Sequence, residues 1–355
     1  MAEKTAASRA PLRAQTPETV VALLAALLVT VLLLVFGSPN PARALRAFFL
    51  GPFSNRYYFG NMLDGAGLLL IAGLGVSAAF RAGVFNLGGD GQIYIAGLVA
   101  AVVCLALPQA PAVFGIVLAL VAAVAVGMLL AGVCGLFKYL WGTDELITSF
   151  LISAAIVPSV SYLIVGPLRN QQSNLLTTER IAEQFRLLRL LPPSNLNLAL
   201  LFALLLAPLA HFLLYHTVRG YELRITGLNR EFARYGGIAI GAYTAVPMAI
   251  SGGLHGLSGA FAVLGTHHAA IQGFTIGLGW NAIAVALIGR NHPLLIIPAA
   301  LVFAYMEAGA RAAMLHTEFS FELGAIIQAV IFFMITAHVA LPRLRLHPRS
   351  RSTAA

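Results

Sequence analysis

The 355-residue chain has two cysteines and two lysines, and only 10% of its residues are charged. Each shortage excludes something. Cys104 and Cys134 both lie inside apolar runs, so neither a disulfide framework nor a cysteine metal cluster is expected. A soluble domain carries roughly 25% charged residues and needs them to cover its outside, so this chain is no soluble enzyme. A phosphate-binding loop requires Gly-Lys followed by Ser or Thr. Lys4 follows Glu3 and Lys138 follows Phe137, so the chain has no P-loop with which to bind ATP. The His-Glu-x-x-His zinc pattern and the Gly-x-Ser-x-Gly nucleophile elbow are missing too. His267 and His268 are adjacent and point to different faces of a helix, which suits a shared metal poorly. No metal and no organic cofactor are expected.

What is present is apolar. Hydrophobic residues make up 59% of the chain and the mean hydropathy is +0.86, which reads as an all-α, polytopic membrane protein. Lys and Arg number 22 against 13 Asp and Glu, a net charge of +9. In a soluble protein that surplus suggests nucleic acid. Here it marks loops on one membrane face and contacts with anionic membrane lipid, and no nucleic-acid partner is expected.

A transmembrane helix needs about 20 apolar residues. Such runs lie near 20–36, 62–80, 92–108, 112–138, 147–165, 197–217, 237–254, 294–312 and 322–341. The stretch 255–289 is apolar but broken by Gly256, Gly259, Gly265, Gly273, Gly277 and Gly279. It reads as one full crossing plus a half-helix, or as two short helices, with any break facing protein or a water-filled cavity. The pair Gly252 and Gly256 suits close helix packing. The organisation is a tail over 1–16, a membrane domain over 17–341 and a basic tail over 342–355. The first apolar run lacks a clean cleavage site and reads as an uncleaved helix. With the N-terminus in the cytoplasm, thirteen basic residues fall in inner segments and seven in outer ones, with Arg290 and Arg311 unassigned. That favours both tails inside and ten crossings, part of 255–289 being re-entrant.

Two loops stand out. Residues 166–195 lie outside in this scheme and contain an amphipathic piece from Ile181 to Leu191. Residues 218–236 lie inside, where Asn229 is suited to cap a short polar helix through Glu231 and Tyr235. The segment 81–92, RAGVFNLGGDGQ, sets Asn86, Asp90 and Gln92 among four glycines between two apolar runs. It is either a simple turn or a broken-helix element beside a translocation path.

FRAGVFNLGGDGQ resembles the (R/K)-x-G-x-F-N-(I/L)-G-x-(E/D)-G-Q motif of ABC importer permeases of the nucleoside and simple-sugar type, related to the ribose and branched-chain amino acid permeases. The likeness continues, in order, through GTDELITSFLI, VGPLR, LRITGLNREFARYGGI, SGGLHGLSGAFAVLG and GFTIGLGWNAIAVALIGRNHPL, covering about 80–294. The chain departs from that pattern at Trp280-Asn281 (commonly Phe followed by Asp or Gly), at Ser153 (commonly Asn) and at Phe232 (usually Ala). The resemblance implies a permease subunit in a bacterial inner membrane, moving a nucleoside, a simple sugar or riboflavin. It implies separate ATP-binding cassette subunits, a second permease subunit forming a homo- or heterodimer, and an extracytoplasmic substrate-binding protein. The expected pathway and gate residues are Asn86, Gly88, Asp90, Gln92, His268, Phe274, Trp280 and Asn281. The expected coupling loop to the ATPase holds Arg224, Gly227, Asn229, Arg234 and Gly236. The competing reading is a self-sufficient, ion-coupled secondary transporter with broken helices near the midplane.

Overall fold

The computed structural model describes residues 12–316 and 326. The expected crossing at 322–341, the tail at 342–355 and most of the tail at 1–16 therefore lie outside the described residues. Among those described there is no strand. Twelve α-helices run in order: α1 (Leu12–Gly37), α2 (Pro41–Leu50), α3 (Arg56–Arg81), α4 (Gly89–Ala106), α5 (Ala112–Trp141), α6 (Glu145–Val165), α7 (Leu198–Tyr215), α8 (Val218–Leu228), α9 (Arg230–Tyr235), α10 (Ala242–Phe261), α11 (Leu278–Ile288) and α12 (Pro293–His316). A π turn over Ala262–His267 prolongs α10. Seven of the described helices are long and apolar enough to cross a membrane, so the chain is a multi-pass helical membrane protein.

Burial sorts these helices. The α3 and α10 spans are largely enclosed by protein, whereas α5, α6 and α7 turn most of their apolar surface outward. Without water to drive burial, close packing carries helix association in lipid, and small residues permit it. The contact of α10 with α5 shows the device. Gly252 and Gly256 lie against Gly127 and Ala123, and a Cβ on Gly135 would stand 2.9 Å from Ala245 Cα and Met248 Cβ.

Contacts also sort the loops into two ends. At one end Asn195 N–H donates to Asn61 Oδ1 and Thr178 N–H to the Ala270 carbonyl. These bonds gather the start of α3, the loop 166–197 and the turn after α10. At the opposite end Arg81 donates to the Arg290 and Asn291 carbonyls, and Arg230 to the Gly83 carbonyl. The turn 289–292, the segment 82–88 and the loop 216–241 meet there.

Two stretches depart from the pattern of apolar runs. The helix expected to break at 255 begins at Ala242 and runs to His267 instead; its glycines are packing contacts, and the break falls at 268–277. There His268, Gly273, Ile276 and Gly277 take positive φ, which no helix tolerates. The eleven residues of α11 then rise about 16 Å, roughly half of a 30 Å hydrocarbon core. Residues 255–289 thus hold the second half of the α10 crossing and one half-length helix, so neither reading describes that stretch: no full crossing starts within it, and its first piece is not a separate helix. The piece Ile181–Leu191 forms extended chain with one 3-10 turn at Glu183–Phe185, pinned by Ile181 and Leu187 N–H bonds to the His268 and Leu264 carbonyls.

Candidate functional site

The segment 82–88 is not helical, yet all of it but Phe85 is buried or half-buried. Its extended backbone leaves N–H groups that a helix would have satisfied, and α6 satisfies them from the side. Phe85 N–H donates to Glu145 Oε1 (3.3 Å), Leu87 N–H to Ser149 Oγ (3.0 Å) and Gly91 N–H to Ser153 Oγ (2.9 Å). The register has a simple origin. Four helical residues rise about 6 Å, and two extended residues rise about 6.6 Å, so acceptors at 145 and 149 meet donors at 85 and 87. Glu145 also pairs with Lys138 at the end of α5. A buried charge is retained only when paired and hydrogen-bonded, and both conditions hold here.

Asn86 is the centre of this anchor. Its Nδ2 donates to Gln92 Oε1 (2.9 Å) and Ser251 Oγ (3.1 Å), and its Oδ1 accepts from Gln92 Nε2 (3.0 Å) and Gly88 N–H (3.0 Å). His255 Nδ1 lies 2.9 Å from Gln92 Oε1. Asn86, Gln92, Ser251 and His255 are all buried, so this network binds α4 to α10. Gly88 caps α4 without a side chain, and Ser153 supplies the missing acceptor. Asn86 and Gln92 are hence enclosed within this network. Asp90 points the other way: its oxygens accept from Thr275 Oγ1 (3.3 Å) and Gly279 N–H (3.4 Å). Gly279 leaves no room for a side chain against Gly89 and Asp90.

Phe274 belongs to the second unwound stretch. Its ring packs edge-on against Tyr94 (5.4 Å between centroids) and beside His267 (5.7 Å), over Gly97. Above it lies a cavity of about 340 Å³ whose lining includes Tyr57, Tyr58, Asp64, Thr266, His267 and Phe274. Asp64 is buried; Oδ1 accepts from Asn197 Nδ2 and Oδ2 from Thr266 Oγ1, each at 2.8 Å. Glu307 and Arg311 of α12, paired at 2.8 Å, close another side.

The remaining expected site residues sit elsewhere. His268 stands outside the cavity, with its Nε2 3.2 Å from Arg189 Nη2. Burial and the nearby Arg186 and Arg189 push its pKa below the ordinary histidine value. Trp280 is 41% exposed and, among the described residues, its one ring contact is with Phe150 of α6, because α11 starts one residue past Gly277 and carries 280 to the outer face. Asn281 follows it on α11, and neither of the two lines the cavity.

At the opposite end the expected short helix exists as α9. Asn229 Oδ1 accepts from Phe232 N–H at 3.0 Å. Residues 224–236 are not one helix: α8 ends at Leu228 and Asn229 breaks the run. Leu228, Phe232 and Tyr235 are exposed, Tyr235 by 90%; Arg234 is exposed and pairs with Glu231, and Gly236 closes α9. Gly227 faces inward, so tightly that a Cβ on Gly83 would lie 3.1 Å from Gly227 Cα. Arg224 stacks on Tyr215, its guanidinium 4.8 Å from the ring centroid.

Comparison with known proteins gives the frame for this geometry. A family model described as the branched-chain amino acid transport system permease component matches residues 58–336. A probable riboflavin import permease of Treponema pallidum is 37% identical over 309 residues, covering 87% of this chain and 82% of its own. A guanosine ABC transporter permease of Bacillus subtilis is 29% identical over 327 residues, covering 90% and 93%. A glucose ABC transporter permease of Haloferax volcanii is 29% identical over 333 residues, covering 90% and 86%. That family implies ATP-binding subunits and a substrate-binding protein as partners. The chain belongs to the branched-chain amino acid transport system permease component family, and it is the permease subunit of an ABC transporter.

Proposed function

We propose that this chain carries a ring-bearing, hydroxylated solute, a nucleoside or riboflavin, inward across a bacterial cytoplasmic membrane. The observation that carries the cargo class is the cavity over Phe274. Three aromatic rings, Tyr57, Tyr58 and Phe274, share its wall with Asn61, Asp64 and Thr266. Flat rings stack on a base or flavin, and the amide, carboxylate and hydroxyl suit ribose or ribityl hydroxyls. The volume falls within the range of small-molecule sites, about 300–1,000 Å³. The relatives named for riboflavin and guanosine support the same class.

In this reading the loop 216–241 faces the cytoplasm and the N-terminus lies on that side. A second permease, a copy or a homologue, completes the pathway. An ATP-binding subunit docks on α9, where Leu228, Phe232 and Tyr235 form an exposed apolar patch beside Arg234. The binding protein docks at the 166–197 end. Nucleotide-driven closure presses α9, and Gly227 and Arg230 pass the displacement to Gly83. The anchor at Asn86 transmits it to α4, and Asp90 to residues 275–279 at the cavity floor. Spatial continuity supports this route, and a bistable element biased from both ends is its physical requirement. Asn86, Gly88 and Gln92 are positioning residues here, while Asp90 and Phe274 sit at the gate. An ion-coupled transporter would need no ATPase, which fits the family poorly.

The test is uptake by vesicles holding the full complex and its binding protein. Purine nucleosides or riboflavin should compete with transport while free pentoses do not. Transport of a free sugar, with no response to any ring compound, overturns the cargo class.

A further inference from the structure

Beside the coupling loop lies a group of side chains to which the proposed transport route gives no role. His211 and Tyr215 of α7 and His292 of the turn before α12 form a packed triangle, with centroids 4.9, 5.1 and 5.2 Å apart. Exposed His216 packs 5.6 Å from His211. Two guanidiniums address the Tyr215 ring: Arg224 from α8 at 4.8 Å and Arg81 from α3 at 6.0 Å. Arg290 stands in the same turn as His292. Among the described residues none of Arg81, Arg224 and Arg290 pairs with a carboxylate. The nearest acid on α8, Glu222, is engaged by the Tyr243 hydroxyl. Nδ1 of His211, Nδ1 of His292 and Nη1 of Arg290 are buried and have no hydrogen-bond partner among the described residues.

Such a cluster is unusual on two counts. Cations gathered without a counter-ion repel one another, and buried polar nitrogens without partners cost free energy. One anionic group with several oxygens relieves both. The surroundings choose its source. The apolar face of α7 is open to lipid through Leu205, Leu209, Phe212 and Leu213, and it ends at this cluster; exposed Val218 begins α8 just beyond. Acyl chains have a surface to lie on where the headgroup would be held.

We propose that the His211–Tyr215–His292 cluster, with Arg81 and Arg224, binds the phosphodiester headgroup of an anionic membrane lipid. The lipid fills the corner between α3, α7, α8 and the 289–292 turn. It thereby braces the base on which the coupling loop stands.

The experiment uses the purified full complex and phosphatidylglycerol as the probe. Native mass spectrometry after mild delipidation should retain phosphatidylglycerol on the permease in preference to phosphatidylcholine. Arg224→Gln with His292→Gln should lower that retention about fivefold or more, as the loss of one cationic contact and one imidazole hydrogen-bonding group implies. Because the double variant could fail to fold, the unaltered complex is also melted with each lipid and with inorganic phosphate. Stabilisation by phosphatidylglycerol alone supports the site. Equal retention of both lipids, unchanged retention in the variant, or equal stabilisation by inorganic phosphate overturns it.

Discussion

The two unwound stretches of this permease precede two helices in the same way and are built in opposite ways. Residues 82–88 lead into α4; α6 holds them by side-chain hydrogen bonds to Phe85 and Leu87 and α10 through Asn86, whose own Oδ1 accepts from Gly88 N–H. Residues 268–277 lead into α11. Backbone bonds to the loop 176–181 and the Thr178 hydroxyl fasten their start, and Tyr94 Oη accepts from Gly273 N–H at 2.8 Å, but residues 274–277 are held, among the described residues, only by short turns and by Asp90. Positive φ recurs there at four positions, and Ile276 is 62% exposed. Unwinding alone therefore does not make a mobile gate. What matters is whether neighbouring side chains satisfy the backbone that unwinding frees. On this account the first stretch is an anchor and the second is the part that responds.

The comparison breaks first at Asn86. Asn86→Ala strands the Gly88 N–H and the Gln92 amide in a buried site, so it should cost about 2–4 kcal/mol. A thermal melt of the purified complex measures this, and a loss within error would mean that the network is dispensable. Next come two glycines of equal backbone cost. Gly83 and Gly277 both have positive φ, at 68° and 74°. Only Gly83 has a neighbour in the way, Gly227, whereas a Cβ on Gly277 would meet nothing within 4 Å. Gly277→Ala should cost about 1–2 kcal/mol and Gly83→Ala clearly more, because overpacking adds to strain. Equal melting shifts would erase the distinction.

A smaller effect sharpens it from the other side. Ile276 is a β-branched residue at φ 42°, a conformation that such side chains avoid. Ile276→Gly should relieve that strain and stabilise by about 0.5–1 kcal/mol, unless the strain is needed for transport, in which case uptake falls while the melt rises. The smallest effect is a pH dependence. His268 titrates below its ordinary 6.5 because burial and nearby arginines disfavour its cation. The unfolded chain then binds more protons than the folded one, so stability is lost as pH falls through and below about 6.5. His268→Asn should flatten the melting curve in that window; an unchanged slope would assign the dependence elsewhere.

Much of the frame was legible. The apolar runs marked each long helix because lipid demands length and hydrophobicity together, and the Asn229 cap of α9 followed from local chemistry. Gly252 and Gly256 were legible as a packing pair, but the glycines from 256 to 265 also read as a break in α10, because packing glycines and turn glycines are the same letter. Phe274 stood out by its place in a glycine-rich stretch and lines the cavity, whereas Trp280 and Asn281 do not, because the phase of α11 depends on turns that periodicity does not encode. Asp64, Tyr57, Tyr58 and Thr266 were missed because they come from separate segments, α3 and the π turn, that only the fold joins. One signal for Asp64 was in plain view, an ionisable residue inside the apolar run 62–80. The polar stripe at 145, 149 and 153 was also present in the sequence, but its meaning depends on an extended partner two residues per step.

The most direct test compares single cysteines at 85 and 276 in the full complex, nucleotide-free and trapped with a transition-state analogue of ATP. Native Cys104 and Cys134 are buried and leave a quiet background. Phe85 and Ile276 are both exposed in this structure. The account predicts that labelling at position 276 changes several-fold between the two states while labelling at 85 stays nearly constant. A change at 85 as large as that at 276, or no change at 276, would contradict it.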